Sequence, residues 1–430
     1  MPTYARATDR QVEETLSFID ELVGGVEPRD FAFRLWDGTG WGPGHGSEPR
    51  FTIVLKHPGS LRRMFLPPSD LTIGEAYIYD DFDVEGDIEA IATLGDRLQV
   101  LENEPAALAR HGVRLLKLPS GGPSRAGGRG ARLRGRAHSK QRDEAATRYH
   151  YDVSNDFYSL WLDRNMVYSC AYFHDTDEDL DTAQERKLDY ICRKLRLKPG
   201  ERLLDIGCGW GGLVLHAARE YGADALGITL SPLQATFARE RIAEEGMKDR
   251  CRVAVLDYRD VDEAHPFDKL VSVGMFEHVG KALLPTYFEK AARLLRPGGV
   301  FLNHGISTSI GNKPSLGPSF SDVYVFPDGE LLPISTMLAE AEKAGFEVRD
   351  VESLREHYAM TLRRWVRRLE RNADAARAVT DEVTYRIWRL FMSYSAHQFS
   401  SNAIGVYQTV LVRPNQGKSG LPLTRQEWYT

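Results

Sequence analysis

The chain has 430 residues, of which 42% are hydrophobic and 27% are charged, and its formal net charge is −6. This length exceeds what one ordinary core holds, so we expect two domains. The composition is that of a globular protein, and no apolar run approaches the roughly 18 residues that a membrane-spanning helix needs. Because the amino terminus also lacks the apolar core of a signal peptide, the sequence predicts a cytoplasmic protein.

The amino-terminal part of the chain, residues 1–110, mixes two kinds of pattern. Short β-like runs such as FTIVL at 51–55 alternate with acidic, helix-like stretches. This mixture predicts a small α+β domain.

A basic segment follows, and we predict a flexible linker over residues 111–144. The stretch 105–142 contains ten Lys or Arg and no acidic residue, and its middle is rich in Gly, Ser and Arg without a hydrophobic period. Such a composition is typical of a solvated linker. The same charge would also suit transient docking to anionic lipid headgroups or nucleic acid, although no aromatic residue interleaves with the arginines, which weakens a single-strand nucleic-acid role.

Residues 145–415 alternate apolar strands with amphipathic helices, and residues 416–430 are predicted to be a tail. Helical patterns such as SPLQATFARERIAEEG separate strand candidates that read ERLLDIG, DALGITL, CRVAVLD, KLVSVGM and GGVFLNHG. This alternation predicts a mostly parallel, doubly wound α/β sheet with helices on both faces.

The segment LDIGCGWGG is a glycine-rich turn between the first of these strands and a helix. Gly207 and Gly209 lie where the backbone of such turns approaches a ligand closely, and Asp205 comes just before them. No acid ends the next strand, as a dinucleotide site would require, and Asp205 would repel phosphate. A cationic ligand without phosphate, S-adenosylmethionine, fits this turn better.

The order of motifs along residues 145–412 resembles the cyclopropane-fatty-acyl-phospholipid synthases and the similar mycolic acid cyclopropane synthases. The motifs are RYHYDVSNDFYSLWLDRNMVYSCAYF, LDIGCGWGG, ITLSPLQ, LDYRD, VGMFEHVG, VFPDGELLP and HYAMTLRRW. The resemblance implies an S-adenosylmethionine-dependent methyltransferase fold. It also implies methyl transfer to a cis double bond of an acyl chain, followed by loss of a proton from the added methyl group to close a ring.

The resemblance further implies that a bicarbonate ion is the base. The positions that match its binding set are Cys170, Glu277, His304, Ile306 and Tyr358. A buried anion needs hydrogen-bond donors such as histidine, tyrosine and backbone amides, and a neighbouring carboxylate can share its proton. Gly305, between two of these positions, stands where the family has a bulkier residue, which puts the selection of acyl chains in question.

Cofactor contacts follow from the same resemblance. Tyr168, Ser169, Gly207 and Gly209 would approach the methionine part of S-adenosylmethionine. Thr229 and Gln234 would take the ribose hydroxyls, and Tyr258 and Arg259 match the adenine side. Aromatic residues of the carboxy-terminal helices are candidates for an acyl pocket: Trp365, Trp388, Phe391, Tyr394 and Phe399.

The expected partners are an unsaturated acyl chain and the inner face of a phospholipid membrane, to which the protein would bind peripherally, without nucleic acid or a metal. The amino-terminal domain resembles the lipid-engaging domain of bacterial phospholipid-modifying members, which favours a membrane phospholipid as substrate. Family members are often dimers. Two alternatives stay open, namely the same methyl transfer ending in a methylene- or methyl-branched chain, and an inactive lipid-binding protein.

Overall fold

The computed structural model describes residues 9–43, 48–101, 105–122, 125, 130–131, 133–151, 153–311 and 317–429. The chain divides into two compact units. The first contains the described residues of Met1–Gly130, Ser315–Val325 and Asp381–His397, and the second contains the described residues of Ala131–Pro314, Phe326–Thr380 and Gln398–Thr430.

The first unit is built on a four-stranded mixed sheet, which agrees with the predicted α+β domain. Its strands are β1 (Phe31–Arg34), β2 (Gly40–Trp41), β3 (Phe51–Leu55) and β4 (Phe82–Gly86), in the order β2-β1-β3-β4. β1 is parallel to β3, and the other pairs are antiparallel. Its helices are α1 (Asp9–Val23), α2 (Ser60–Phe65), α3 (Asp70–Ile78), α4 (Ala90–Leu101), α5 (Pro105–Lys117) and α12 (Phe320–Tyr324).

Two later pieces of the chain complete this unit, so its boundary differs from the predicted residue 110. A Cβ atom on Gly74 of α3 would lie 2.2 Å from the Phe320 ring, so only a residue without a side chain fits there. The guanidinium of Arg386 donates to the carbonyl of Tyr77 at 2.8 Å and pairs with Asp83 at 3.0 Å. These contacts join residues that are roughly 250 to 310 positions apart, which no local pattern predicts.

The predicted linker is shorter than residues 111–144. Helix α5 continues to Lys117, and α6 begins at Lys140. α6 carries almost no apolar residues, and ion pairs hold it instead: Lys140 with Asp260, Arg142 with Asp328, and Asp143 with Arg259. The absence of a hydrophobic period, from which the linker was predicted, therefore did not exclude a helix.

The second unit contains the predicted doubly wound sheet, with seven strands in the order β10-β11-β9-β8-β5-β6-β7. The five predicted strand candidates are confirmed as β5 (Arg202–Ile206), β6 (Asp224–Thr229), β7 (Cys251–Val255), β8 (Phe267–Val273) and β9 (Leu295–Thr308). These five run parallel, whereas β11 (Ile404–Val412) is antiparallel to β9 and to β10 (Glu347–Ser353).

Helices flank this sheet, as the alternating pattern predicted. They are α6 (Lys140–Tyr151), α7 (Asn155–Ser159), α8 (Leu180–Leu195), α9 (Gly212–Tyr221), α10 (Pro232–Glu244), α11 (Leu284–Leu294), α13 (Ile334–Lys343), α14 (Arg355–Arg371), α15 (Ala373–Val379) and α17 (Gln426–Tyr429). The remaining helix, α16 (Glu382–Ser400), belongs to the first unit as far as His397. The predicted tail is partly ordered, because Trp428 of α17 is buried. No described helix has the length and apolarity that crossing a bilayer would require.

Candidate active site

A cleft opens at the carboxyl ends of β5 and β6, beside the glycine-rich turn. Its cavity volume is about 180 Å³. On the same measure a single water needs roughly 15 Å³, so the cleft can hold a ligand much larger than water. All nine predicted cofactor residues line it: Tyr168, Ser169, Asp205, Gly207, Gly209, Thr229, Gln234, Tyr258 and Arg259. Carboxyl ends of parallel strands form the usual ligand crevice of such sheets, which explains why segments distant in sequence meet here.

The glycine turn presents bare backbone to this cleft. Gly207 and Gly209 have φ values of +86° and +54°, a region that side chains rarely adopt. The nearest atom to a Cβ on Gly209 would be the Gln234 amide nitrogen at 4.0 Å, so this position faces open space, whereas one on Gly207 would contact Met275 at 3.1 Å. The turn thus forms a cradle that a side chain at 209 would fill.

Opposite charges lie at the inner end of the cleft. Asp205 is 2% exposed, burial raises its pKa to about 7, and its Oδ1 has no hydrogen-bond partner among the described residues. Lys187 of α8 is also buried, which lowers its pKa to about 8, and its Nζ donates to the Ser169 hydroxyl at 2.7 Å. Oδ1 of Asp205 can accept a hydrogen bond from the ammonium group of an amino acid, and the Ser169 hydroxyl, which already accepts from Lys187, can donate to its carboxylate. The methionine part of S-adenosylmethionine carries both of these groups.

Sequence reasoning missed Lys187. The sequence signal that could have found it is the helical spacing of four residues. Ala183, Lys187 and Ile191 occupy one stripe of α8, and all three are buried. A lysine on the buried stripe of an amphipathic helix requires a polar partner, and this one has the hydroxyl of Ser169.

The outer half of the cleft holds the residues predicted for the ribose and adenine. Thr229 ends β6 and donates through its hydroxyl to Gln234 Oε1 at 2.7 Å. Arg259 is fixed by Asp257 and Asp143, and those carboxylates raise its pKa. Burial raises the pKa of Tyr258 to about 12, so its hydroxyl is a neutral donor.

The five residues predicted for the base are brought together, although they are not among the described residues that line the cleft. Ile306 of β9 pairs with Val406 of β11, whose carbonyl accepts from the Leu354 amide at 2.9 Å. The Leu354 carbonyl in turn accepts from the Cys170 thiol at 3.6 Å and from the Tyr358 amide at 3.0 Å. A short chain of backbone contacts therefore links three of the five.

Glu277 and His304 join this group from the other side. Glu277 lies in the single 3₁₀ turn Phe276–His278 that follows β8, next to β9. A Cβ on Gly305 would be 3.3 Å from Glu277 Oε2, so the carboxylate lies against the strand that carries His304 and Ile306. Glu277 also contributes to the raised pKa of Tyr358, as does Cys170.

Two buried polar atoms in this group have no hydrogen-bond partner within the described part of the chain. They are Oε2 of Glu277 and Nε2 of His304, on side chains that are 6% and 2% exposed. Burial raises the pKa of Glu277 to about 7, against the opposing effect of the Ile306 backbone amide, and lowers the pKa of His304 well below its usual value. Buried polar groups are normally satisfied, so this pair is suited to a small polar ligand.

Burial also raises the pKa values of Cys170 and Tyr358 far above physiological pH. Both groups are therefore neutral, the thiol a weak donor and the phenol a strong one. The thiol proton is engaged by the Leu354 carbonyl and the Ile306 amide by Glu277, so an anion here would face the Tyr358 phenol and Nε2 of His304. The donor set fits bicarbonate.

The departure at Gly305 has a local cause. A Cβ there would lie 2.0 Å from Cδ1 of Phe276, so the phenylalanine ring occupies the space of the missing side chain. Phe276 is 2% exposed. A bulkier residue at 305 would require the ring next to Glu277 to move.

The predicted acyl aromatics divide between the two units. Phe399 and Trp365 surround Tyr358, with ring centroids 4.6 Å and 6.0 Å away. Trp388, Phe391 and Tyr394 belong to the first unit. They lie on the part of α16 that also carries Arg386, which is bound to Tyr77 and Asp83, and their role in an acyl pocket stays a prediction.

Comparison with known proteins identifies the family. Residues 138–409 match the family model described as mycolic acid cyclopropane synthetase, and residues 18–97 match a domain of unknown function. A probable fatty acid methyltransferase of Pseudomonas putida is 42% identical over 400 residues, covering 92% of this chain and 95% of its own. The cyclopropane-fatty-acyl-phospholipid synthase of Escherichia coli K12 is 39% identical over 279 residues, covering 64% of this chain and 69% of its own.

A solved structure agrees with this assignment. The mycolic acid cyclopropane synthase CmaA1, in complex with SAH and CTAB, superposes with a TM-score of 0.59 at 34% identity, covering 62% of this chain and 97% of its own. The residues that the family model matches, 138–409, contain the cleft, the glycine turn and the group around Glu277 and His304. The chain therefore belongs to the mycolic acid cyclopropane synthetase family of S-adenosylmethionine-dependent methyltransferases.

Proposed function

We propose that this protein transfers the methyl group of S-adenosylmethionine to a cis double bond of an unsaturated phospholipid acyl chain and closes a cyclopropane ring with bicarbonate as the base. The observation that carries the proposal is the pair of buried, unpartnered atoms, Glu277 Oε2 and His304 Nε2, beside the neutral donors Cys170 and Tyr358. A methyltransferase acting on an amine has no need of such a group, because its substrate carries its own lone pair.

The cofactor supplies an electrophilic methyl group when it is bound. Ser169, held by Lys187, and Asp205 are the residues that would hold its amino acid part, and Thr229 with Gln234 would hold the ribose. Their work is positioning, since an electrophile and an alkene react only when they are aligned at close range. The bare backbone at Gly209 allows that close approach.

Methyl addition to an alkene leaves a carbocation, and ring closure requires a proton to leave the added methyl group. Tyr358 and His304 are the residues that would hold a bicarbonate ion next to Glu277, and the ion would supply the proton acceptor. Glu277 is poised to share that proton, because a carboxyl group with a pKa of about 7 exchanges protons readily near neutral pH. Burial excludes water, which would otherwise quench the cation.

The substrate is proposed to be a membrane phospholipid, reached by a peripheral protein at the inner face of the membrane. The amino-terminal unit and the exposed arginines of the basic segment, such as Arg134 and Arg136, support this choice.

A second product is favoured by one observation. The relative from Pseudomonas putida, which matches nearly the whole chain, is a probable fatty acid methyltransferase. After the same methyl transfer, loss of a proton from a chain carbon would give a methyl-branched alkene. A hydride shift to the cationic carbon followed by loss of a proton from the added methyl group would give a methylene branch. Product chemistry, rather than cofactor binding, separates the two candidates.

Deuterium labelling of the methyl donor tests the proposal. The protein is incubated with vesicles of a cis-unsaturated phosphatidylglycerol and S-adenosylmethionine whose methyl group carries three deuterium atoms, and the lipids are analysed by mass spectrometry before and after hydrogenation. A cyclopropane retains two deuterium atoms and takes up no hydrogen. A product that retains all three, or one that takes up hydrogen at the alkylated chain, would exclude the ring and favour the branched candidate.

A further inference from the structure

A glutamine on the neighbouring strand lies directly against His304. Gln408 of β11 is the cross-strand partner of His304 in the antiparallel pairing of β11 with β9. Its Nε2 lies 3.2 Å from Nδ1 of the imidazole, and both side chains are at most 2% exposed. No sequence motif indicates a role for Gln408.

A buried lysine determines which way this amide points. Lys194 of α8 is fully buried, and its Nζ donates to Oε1 of Gln408 at 2.9 Å. An ammonium group only donates hydrogen bonds, so the oxygen of the amide must face Lys194 and its NH₂ group must face His304.

Burial lowers the pKa of Lys194, and two neighbouring carboxylates oppose this shift and pair with its ammonium group. Its Nζ pairs with Glu352 and lies 3.8 Å from Asp350 Oδ2. The Glu352 carboxylate also accepts from the Tyr190 hydroxyl at 2.9 Å. The orientation of the Gln408 amide is thus determined by its hydrogen bond from Lys194, which is itself held by Glu352 and Asp350.

The orientation of the amide decides the tautomer of the histidine. Because the NH₂ group of Gln408 donates, Nδ1 of His304 must accept and carries no proton. A neutral imidazole then has its proton on Nε2, the nitrogen that has no partner among the described residues. Burial, and after it the two buried cations Lys187 and Lys194, lower the pKa of His304 and so oppose a second proton on the ring.

We propose that Lys194 and Gln408 are positioning residues that hold His304 as the neutral Nε2–H tautomer, so that it presents one N–H donor to an anion and no lone pair. The identity of that anion as bicarbonate rests on the proposed function. An imidazolium at this position would instead protonate the base, and the opposite tautomer would direct a lone pair at it.

The tautomer can be measured directly by nitrogen NMR of the full chain. Protein labelled with ¹⁵N-histidine is prepared in carbonate-free buffer with S-adenosylhomocysteine, and the His304 signals are assigned with His304→Gln. Wild type should show a pyrrole-type Nε2 and a pyridine-type Nδ1. Gln408→Glu keeps the size of the side chain but can only accept, so the pattern should reverse.

Thr409→Val is the matched control. This neighbour on β11 is fully buried and its hydroxyl has no partner in the described chain, so the valine should leave the His304 pattern unchanged. Gln408→Glu should also raise the apparent Kd for bicarbonate about 10- to 100-fold, which corresponds to loss of one hydrogen bond to a charged group, with unchanged affinity for S-adenosylhomocysteine.

If His304 of the wild type is the Nδ1–H tautomer or an average of both tautomers, the inference is wrong. This outcome is measured on the wild type alone, so it does not require that Gln408→Glu folds. A wild-type pattern retained in a folded Gln408→Glu would overturn it as well. The result is independent of turnover. If turnover does not depend on carbonate but the tautomers are as expected, the proposed base is refuted and the positioning role remains. If turnover depends on carbonate but His304 has the other tautomer, only the positioning role is refuted.

Discussion

Replacing Glu277 by Gln should change the pH dependence of stability in a direction opposite to that of an ordinary surface carboxylate. Burial raises the pKa of Glu277 from 4.5 to about 7 in the folded protein. The folded state therefore holds this proton more tightly than the unfolded state. Its stabilising effect is fully present below pH 4.5 and is lost as the pH rises through about 7.

The size of the effect follows from the two pKa values. The full shift corresponds to roughly 3 kcal/mol at 1.36 kcal/mol per unit, of which about 2.5 kcal/mol is lost between pH 5 and pH 8. Glutamine has no proton to lose, so Glu277→Gln should lack this component. The free energy of unfolding of the variant should rise, relative to wild type, by about 2.5 kcal/mol over that interval.

Urea unfolding of both proteins at several pH values between 5 and 8, in carbonate-free buffer, measures this difference. All other titrating groups cancel in the comparison. Glu289→Gln, on the exposed face of α11, serves as the control and should track wild type. Parallel stability curves for wild type and Glu277→Gln would refute the view that Glu277 is an uncompensated buried carboxylate.

The remaining predictions concern the cofactor, the base and the lipid surface. Gly209→Val should abolish the binding of S-adenosylhomocysteine that calorimetry measures. The control Gly345→Val, at a φ of +91° with no atom within 4 Å of the added Cβ, should carry similar backbone strain but retain binding. Equal affinities of the two variants would contradict the view that Gly209 forms part of a ligand cradle. His304→Gln should lower turnover by about 10² to 10⁴, the range for loss of acid–base assistance, with cofactor affinity nearly unchanged, and a normal rate would remove this residue from the base site. Replacing the exposed Arg134 and Arg136 by Gln should weaken binding to anionic vesicles at low salt about 30-fold, because each basic residue contributes ~1 kcal/mol. The control, Arg371→Gln with Lys198→Gln, removes the same charge elsewhere on the surface and should leave binding unchanged. Equal losses of affinity in the two pairs would favour an inert linker. Arg132, which the sequence placed in the same basic run, lies outside the described residues.

The parts of the site that the sequence predicted are those that local patterns encode. Alternating strands and helices placed Asp205, Thr229 and Tyr258 at carboxyl ends of neighbouring parallel strands, where they must converge. The glycines at 207 and 209 indicated a close backbone approach, and both have positive φ. The resemblance added the residues of the base site, whose proximity the backbone contacts around Leu354 explain.

The parts that the sequence did not predict depend on long-range polar contacts. Nothing local indicates that Gln408 faces His304, because the register of β11 against β9 is set across about a hundred residues. Lys187 and Lys194 belong to a helix rich in charged residues, and the fold shows that both are buried. Helix α6 was missed for a related reason, since ion pairs rather than an apolar stripe hold it.

Carbonate dependence of the rate tests the central claim most directly. Wild-type turnover on unsaturated phospholipid vesicles is measured in buffer stripped of carbon dioxide and again after bicarbonate is returned, with S-adenosylhomocysteine affinity followed in parallel. The rate should fall on removal and recover on return, with unchanged cofactor affinity, because no fixed side chain among those around Glu277 and His304 replaces the ion. A rate that is the same with and without carbonate would contradict the bicarbonate site.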